Sequence, residues 1–250
     1  HEVFVNLRRR GGSIADMAIL VVDLLEGFEA QTHESIDILR SRRTPFLVAA
    51  NKVDRIPGWK SSPSESFLKS LDRQDPEILA RFEELLYRVV AEFAKKGMKS
   101  DRFDRVKDFT RVVAIVPTSA VTGEGIPELL LTLAGLTQRY MTDKLVVSEG
   151  PAKGVVLEVK EEVGLGTTVD AIIYDGVLRK EDTLVIGALD EPLVTHVRAL
   201  LLPKPLDEIR SPEDRFLNVP SVNAAAGVKV VAPTLEKAMA GAPLAAVWDE

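Results

Sequence analysis

The pattern of apolar and polar residues over positions 1–140 predicts alternating strands and helices. Three short apolar runs are typical of buried strands, at residues 17–22, 46–50 and 112–116. Helical signals are present at residues 2–12, 33–42, 76–96 and 126–139. This alternation predicts three parallel strands with right-handed crossovers and helices packed against the sheet. Residues 55–74 are rich in Ser, Pro and Gly and are predicted to form a loop.

Beyond residue 140 the pattern favours β-structure. Runs rich in β-branched residues alternate with glycine turns, and the predicted strands are residues 153–159, 167–174, 183–186, 194–202, 228–231 and 244–248. Asp175-Gly176 predicts a hairpin between the strands on either side of it. Apolar and polar residues alternate within the first two strands, so we expect one buried face. Residues 150–250 are therefore predicted to form a small antiparallel β-barrel.

Composition narrows the class of protein. The chain has 250 residues, 46% of them hydrophobic and 28% charged, which suits a folded protein with room for two cores. Its net charge of −6 argues against binding nucleic acid over the whole surface. The lack of cysteine excludes disulfides and thiolate metal sites and suits a reducing compartment. No apolar run reaches the roughly 18–20 residues that a membrane span needs.

A polar cluster directly follows the strand predicted at 46–50. Asn51, Lys52 and Asp54 stand there as Asn-Lys-x-Asp, at the edge where parallel sheets bind ligands. The two oxygens of an Asp carboxylate match the N–H and NH2 groups of guanine, whereas adenine has a different donor pattern. Asn51 can bond both the base and a neighbouring loop, and the Lys52 stem can lie flat on the ring. A plain polar turn is the alternative interpretation.

A second motif follows the strand predicted at 112–116. Ser119, Ala120 and Val121 begin a turn that continues through Thr-Gly-Glu-Gly into a helix. Backbone N–H groups of this turn are predicted to face the base oxygen, and the Ser119 hydroxyl is predicted to tighten the turn. The two motifs together favour a guanine site over a pair of unrelated turns.

Two signatures of guanine-nucleotide enzymes are missing from the sequence. It contains no Gly-Lys dipeptide, and hence no Gly-x-x-x-x-Gly-Lys-Ser/Thr loop to bind phosphates. It also contains no Asp-x-x-Gly segment to sense the terminal phosphate. Because only three strands are predicted in the sheet, we expect the chain to be a fragment of a nucleotide-binding domain.

Three stretches carry a resemblance to a known family. Residues 1–23 (HEVFVNLRRRGGSIADMAILVVD) resemble the second switch and the following strand of translational GTPases, and residues 26–35 and 44–54 continue the match. The Glu-Gly-Phe and Ala-Ala-Asn-Lys segments, with a helical insertion at 55–110, are similar to translation initiation factor 5B of archaea and eukaryotes, a relative of bacterial initiation factor 2. Elongation factors differ at these positions. The resemblance covers essentially the whole chain.

This resemblance implies an incomplete α/β P-loop-type GTPase domain over residues 1–145, with a parallel sheet and flanking helices, and a β-barrel second domain over residues 150–250. His1 matches the histidine that orients the attacking water in this family, which implies a catalytic role. The other histidines, His33 and His196, are interpreted as structural. GTP or GDP is the implied ligand, with Mg2+ in the complete protein through ligands upstream. No metal ligand is predicted within this chain, which we expect to be inactive alone.

The resemblance also implies partners. The complete factor is expected to promote the joining of ribosomal subunits and to leave after ribosome-stimulated GTP hydrolysis. Its expected partners are ribosomal RNA, the acidic stalk protein and, through domains absent here, the initiator tRNA. Arg8, Arg9 and Arg10 are interpreted either as contacts to ribosomal RNA or as a solvated helix face.

The expected form is a cytoplasmic monomer without membrane contact. Two alternatives stay open for its function. Besides an initiation-factor GTPase, the chain is interpreted as a non-catalytic fragment that docks on the ribosome or its stalk, or as part of a translational GTPase of the elongation-factor type. The sequence upstream of His1 would separate all three interpretations, because a phosphate loop and an Asp-x-x-Gly segment directly before His1 would favour the initiation-factor GTPase.

Overall fold

The computed structural model describes residues 15–63, 65–141, 148–189, 191–204 and 215–248. The chain divides into two compact units, one within Gly12–Asp143 and one within Lys144–Glu250. The helix predicted at 2–12 lies outside the described residues. Over the described ranges, no helix combines the length and the apolar character needed to cross a bilayer.

The first unit is a parallel sheet with flanking helices. Its strands are β1 (Ala18–Asp23), β2 (Phe46–Asn51), β3 (Lys99–Arg102) and β4 (Val112–Pro117). Its helices are α1 (Ala30–Arg42), α2 (Phe67–Leu71), α3 (Pro76–Lys95) and α4 (Ile126–Tyr140), with a 3₁₀ turn at Val53–Arg55. The strand order is β1-β2-β4-β3, and every pair is parallel. The predicted α/β class is therefore confirmed.

Helix α3 shows how the sequence pattern sets the packing. Pro76 occupies its first turn, where a missing N–H breaks no helical hydrogen bond. Apolar residues three and four positions apart place Phe82, Val89 and Phe93 on one face, and all three are fully buried in a core shared with β2 and β4. Gly97 follows the helix at φ +73°, in the left-handed conformation that commonly ends helices.

Among the described residues the sheet has four strands, and the prediction of three is wrong. Strand β3 reads Lys-Ser-Asp-Arg and pairs in parallel with β4, so backbone hydrogen bonds define it without an apolar pattern. The Arg102 side chain is buried and donates to Asp104 Oδ1 at 2.6 Å and to Glu83 Oε1 at 3.0 Å. A pattern of hydrophobicity cannot locate a strand whose buried side chain is satisfied by charged partners.

Strand β1 is buried on one face only, although its sequence predicts a fully buried strand. Leu20 and Val22 lie in the core, whereas Ile19 and Val21 are 39% and 61% exposed. β1 is an edge strand of the described sheet, so its side chains have fewer neighbours than those of β2. The apolar run thus identifies the strand correctly and overstates its burial.

Residues 55–63 and 65–74 are more ordered than the loop predicted over 55–74. The 3₁₀ turn ends at Arg55, and α2 begins at Phe67. Trp59 and Phe67 are both buried, with their rings stacked at a centroid distance of 6.1 Å. These few aromatic residues lie among many Ser, Pro and Gly residues. The local pattern therefore indicated a loop, and the buried aromatic pair was not predicted.

The second unit is built from antiparallel strands. They are β5 (Lys153–Glu162), β6 (Gly166–Asp175), β7 (Val177–Arg179), β8 (Thr183–Ile186), β9 (Leu193–His196), β10 (Ala199–Pro203), β11 (Phe216–Val219), β12 (Ser221–Asn223), β13 (Ala226–Val231) and β14 (Pro243–Val247). One eight-stranded sheet has the order β11-β10-β13-β6-β5-β14-β8-β9, and β7 pairs with β12. Leu193 of β9 and Leu200 of β10, near opposite edges, share one core. The sheet therefore curls around that core, as predicted for an antiparallel barrel.

Two local predictions in this unit are wrong. The run at 194–202 is two strands, β9 and β10, which lie in different parts of the sheet. Asp175-Gly176 does not close a hairpin, because β7 pairs with β12 and not with β6. A Cβ on Gly176 would lie 2.5 Å from the Pro151 carbonyl oxygen, so glycine is required here for close approach of two backbone segments.

Candidate functional site

Three strand ends meet at the carboxyl edge of the parallel sheet. Asp23 ends β1 and Asn51 ends β2, and the strand register pairs them directly. Ala50 pairs with Pro117 at the end of β4, and the Thr118 N–H donates to the Ala50 carbonyl at 2.9 Å. The two sequence motifs therefore begin on adjacent strands at one edge, the position at which parallel sheets bind ligands.

Asn51 joins the two motifs. Its Oδ1 accepts a hydrogen bond from the Ala120 N–H at 2.9 Å. This N–H was predicted to face a base oxygen, and here it is already engaged by Asn51. The Val121 N–H makes a longer contact, 3.3 Å, to Ser119 Oγ. The backbone donors of the loop are thus held by side chains of the two motifs.

Ser119 stabilises the turn through hydrogen bonds of its side chain and backbone. Its side chain is fully buried, and its Oγ accepts a hydrogen bond from the Thr122 N–H at 3.1 Å. Its backbone N–H donates to the Glu124 carbonyl at 2.9 Å, and its carbonyl accepts from the Gly123 N–H at 2.9 Å. One serine therefore fixes both sides of the loop between β4 and α4.

Asp54 lies in the 3₁₀ turn that follows β2 and is half-buried. Within the part of the chain that the structure describes, its carboxylate has no hydrogen-bond or ion-pair partner. A carboxylate offers two acceptor oxygens, so Asp54 can receive a ligand that presents two adjacent donors.

Lys52 is held in a position that the sequence did not predict. Its backbone has φ +72°, a left-handed conformation that costs a residue with a Cβ about 1–2 kcal/mol. Its Nζ lies 2.5 Å from Asp23 Oδ2. Burial alone raises the pKa of the Asp23 carboxyl, but hydrogen bonds from Lys52 and the Leu25 N–H outweigh burial and hold the pKa below its ordinary value.

The remaining candidates contribute less. His1 and residues 8–10 lie outside the described residues, so their roles stay predictions. His33 packs edge-on against an aromatic ring, and His196 lies exposed on β9. In the described ranges no group of three or more His, Asp or Glu residues is placed to hold a metal ion.

Sequence reasoning missed the contacts behind the loop. Trp59 Nε1 donates to Glu124 Oε1 at 3.1 Å, and the Gly125 N–H donates to the Glu65 carbonyl at 3.1 Å. The available signal was a tryptophan within a segment of small and polar residues, because such a residue is seldom left in a free loop.

Comparison with known proteins identifies the family. Residues 1–139 match the family described as the Elongation factor Tu GTP binding domain. The chain belongs to this GTPase family. It is 60% identical over 250 residues to a probable translation initiation factor IF-2 of Staphylothermus marinus, and 62% identical over 244 residues to that of Thermofilum pendens. These matches cover 100% and 98% of the chain and 41% of each relative, so the chain spans about two fifths of their length.

A solved structure places this chain in the initiation factor 5B branch of the family. A crystal structure of GDP-bound aIF5B from Aeropyrum pernix superposes with a TM-score of 0.89 at 57% identity, covering 100% of this chain and 42% of that one. The predicted resemblance to initiation factor 5B is therefore confirmed. A bacterial selenocysteine-specific elongation factor, with a TM-score of 0.58 at 21% identity over 98% of this chain and 34% of its own, shares the fold alone.

In this chain, Asn51→Ala is expected to loosen the loop that carries Ala120. Loss of one hydrogen bond of this kind costs about 0.5–1.5 kcal/mol, so the Ala120 amide should exchange its hydrogen roughly 2- to 10-fold faster. Hydrogen exchange followed by NMR measures this. Asn51→Asp keeps the acceptor oxygen and serves as the matched control. Equal rates in all three proteins would show that the bond does not order the loop.

The ion pair between Asp23 and Lys52 predicts a dependence of stability on pH. Because the pKa of Asp23 is lowered in the folded chain, its contribution is present above about pH 4 and is lost as the pH falls through the lower folded pKa. The Lys52 side chain is 43% exposed, so Asp23→Asn should cost less than about 1 kcal/mol at pH 6. Urea unfolding at pH 6 and pH 3 should show this difference shrinking. A difference that stays constant would contradict it.

Proposed function

We propose that this chain is the nucleotide-recognition part of a GTP-binding translation initiation factor, with GTP or GDP as its ligand. The observation that carries the proposal is the meeting of two motifs through the hydrogen bond between Asn51 and Ala120, together with an Asp54 carboxylate that has no partner among the described residues. The similar aIF5B of Aeropyrum pernix is described as GDP-bound, which supports a guanine nucleotide as the ligand.

Base recognition follows from hydrogen-bond chemistry. Asp54 accepts hydrogen bonds from N1–H and the 2-amino group of guanine, and adenine offers no donor at position 1. The Val121 and Ala120 N–H groups donate to the base oxygen O6, which requires Asn51 to share or release its bond to Ala120. Ser119 holds the turn, and the stem of Lys52 covers the face of the ring.

The hydrolytic step is proposed from family membership. Residues 1–145 are proposed as the carboxyl-terminal part of the GTP-binding domain and residues 150–250 as the second domain. His1 is proposed to orient the attacking water, while contacts to the phosphates supply most of the stabilisation in phosphoryl transfer. The described residues do not form a metal site, so no step is assigned to Mg2+, whose ligands are proposed upstream in the complete protein.

The role in translation is proposed for the complete factor. Its relatives at 60% and 62% identity are described as probable initiation factors, which supports a role in starting protein synthesis. We infer that the factor promotes the joining of ribosomal subunits and is released after ribosome-stimulated hydrolysis. Its proposed partners are ribosomal RNA, the acidic stalk protein and the initiator tRNA, the last through other domains. It is proposed to act as a cytoplasmic monomer away from membranes.

Nucleotide titration tests the first step. GDP and ADP are titrated by calorimetry into this chain and into a version extended upstream through the phosphate loop that the family implies. The extended chain is expected to bind GDP and not ADP, and the chain alone is expected to bind neither measurably. Failure of both chains to bind GDP would overturn the proposed base site.

Ribosome-dependent turnover tests the second step. The extended factor is incubated with GTP, with and without ribosomal subunits, while phosphate release and light scattering are recorded. Faster release with subunits and faster joining support the proposal. GDP binding without stimulated turnover would favour the alternative of a docking fragment. The elongation-factor alternative has weaker support, because the chain is 21% identical in sequence to the selenocysteine-specific factor and 57% identical to aIF5B.

A further inference from the structure

A buried carboxylate lies behind the loop formed by residues 119–125. Glu124 is 0% exposed, and its Oε1 accepts a hydrogen bond from Trp59 Nε1 at 3.1 Å. Its Oε2 has no partner within the part of the chain that the structure describes. A buried carboxylate that has one donor depends strongly on it, because a charge left without a partner inside a protein is costly.

Two further hydrogen bonds link the same two regions. The Gly125 N–H donates to the Glu65 carbonyl at 3.1 Å. The Ser66 hydroxyl donates to Glu128 Oε1 in the first turn of α4. The segment that contains Trp59 and Ser66 therefore contacts the end of the loop and the first turn of α4.

This segment is itself anchored to α3. The Trp59 ring packs against Phe67, and against Phe82 of α3 with ring centroids 5.6 Å apart. Gln74 closes the segment, because its Oε1 accepts from the Lys60 N–H at 2.8 Å and its Nε2 donates to the Lys60 carbonyl at 3.0 Å. A rigid element is thus available to position the loop.

We propose that residues 55–63 and 65–74, named here the bracing segment, hold residues 119–125 in the shape that reads the guanine base. Trp59 is a positioning residue that acts through Glu124. The link continues to Ser119, whose N–H donates to the Glu124 carbonyl at 2.9 Å. The inference rests on the proposed function for its effect on nucleotide, whereas its effect on the loop can be measured without nucleotide.

Amide hydrogen exchange on this chain is the first test. Trp59→Phe keeps an aromatic ring and removes the donor to Glu124, so the Thr122 and Gly123 amides should exchange about tenfold faster. The amides of β2 should keep their rates, because the change is confined to the loop. A uniform increase across the first unit would show general destabilisation and would overturn the positioning role.

The second tryptophan offers a matched control. Trp248 Nε1 donates to Asp182 Oδ2 at 3.2 Å within the other unit, so Trp248→Phe removes a similar hydrogen bond from that unit. In the Trp248→Phe variant, the amides of residues 119–125 should exchange at the same rates as in the unsubstituted chain. The double variant Trp59→Phe/Glu124→Met needs no donor and should restore slow exchange. Persistently fast exchange in that variant would overturn the route through Glu124.

Ser66→Ala provides a variant that leaves the aromatic core intact. It removes the donor to Glu128 and is expected to raise loop exchange severalfold, with little change elsewhere. If neither Ser66→Ala nor Trp59→Phe alters the Thr122 and Gly123 amides, the bracing segment does not position the loop.

Base selectivity is the second test, on the chain extended through the phosphate loop. The diphosphate of 6-thioguanosine keeps N1–H and the 2-amino group of guanine and replaces O6, which the loop is proposed to contact, with sulfur, a weaker acceptor. Trp59→Phe should lower the ratio of GDP affinity to that of this analogue about tenfold, since only contacts to O6 depend on the loop. Equal weakening of both ligands would contradict positioning.

The two tests separate failure of this inference from failure of the proposed function. If the unsubstituted extended chain does not bind GDP, the proposed function is wrong, and local changes in amide exchange would still establish the brace. If that chain binds GDP with selectivity and Trp59→Phe changes neither exchange nor selectivity, the proposed function stands and the inference is wrong.

Discussion

Asp54→Asn, in a chain extended through the phosphate loop, is expected to weaken GDP binding by about 1–3 kcal/mol, a factor of roughly 5 to 150. The ionised carboxylate offers two acceptors to two guanine donors, and asparagine replaces one acceptor with an NH2 group that meets the 2-amino group of the base. Xanthine carries an oxygen at that position. The variant should therefore gain affinity for xanthosine diphosphate relative to GDP.

Calorimetric titration of both nucleotides measures the change. Asp72→Asn is the matched control, because Asp72 lies exposed at the end of α2 and has no charged partner among the described residues. The Asp72→Asn variant should bind GDP with the same affinity as the unsubstituted chain. Unchanged GDP affinity in Asp54→Asn would remove Asp54 from the base site, whatever the control shows.

The two motifs of the proposed guanine site were predictable from sequence because each is local. A short apolar run followed at once by Asn-Lys-x-Asp specifies a strand and the polar side chains at its end. The convergence of the two motifs also follows from general rules, since the carboxyl ends of parallel strands lie at one edge. In the structure, the hydrogen bond between Asn51 and Ala120 joins the two motifs directly.

The contacts that hold the site in place could not be predicted, because they join residues far apart in sequence. Lys52 pairs with Asp23, and Trp59 with Glu124, through side chains whose neighbours are set only when the sheet and α3 have formed. Strand β3 illustrates the same point, because its polar residues become a strand only by pairing with β4. Such interactions depend on the tertiary fold rather than on local propensity.

In the barrel, the hairpin prediction was wrong for a different reason. Asp-Gly is a strong hairpin signal, but it reports only that the backbone must turn with φ above zero. Gly176 has φ +71°, and the strands beside it pair with other partners. The dipeptide therefore identified the turn correctly and could not determine which strands are neighbours.

Gly125→Ala should be strongly destabilising and should disrupt the loop formed by residues 119–125. Gly125 precedes α4 at φ +75°, and a Cβ placed on it would lie 2.1 Å from the Pro117 carbonyl oxygen and 3.2 Å from Thr118 Cα. These are backbone atoms at the end of β4, so they cannot rotate aside as a side chain can. Strain and displacement together should cost about 3–5 kcal/mol, at the upper end for a single substitution.

Gly97→Ala separates the two contributions to that cost. Gly97 has φ +73°, nearly the same conformation, and a Cβ there would meet nothing within 4 Å. It should therefore cost only about 1–2 kcal/mol, the penalty for a left-handed residue with a Cβ. Urea unfolding followed by Trp59 fluorescence, in a Trp248→Phe background, reports the first unit alone. Equal losses in the two variants would mean that close approach to Pro117 does not explain why glycine is needed at position 125.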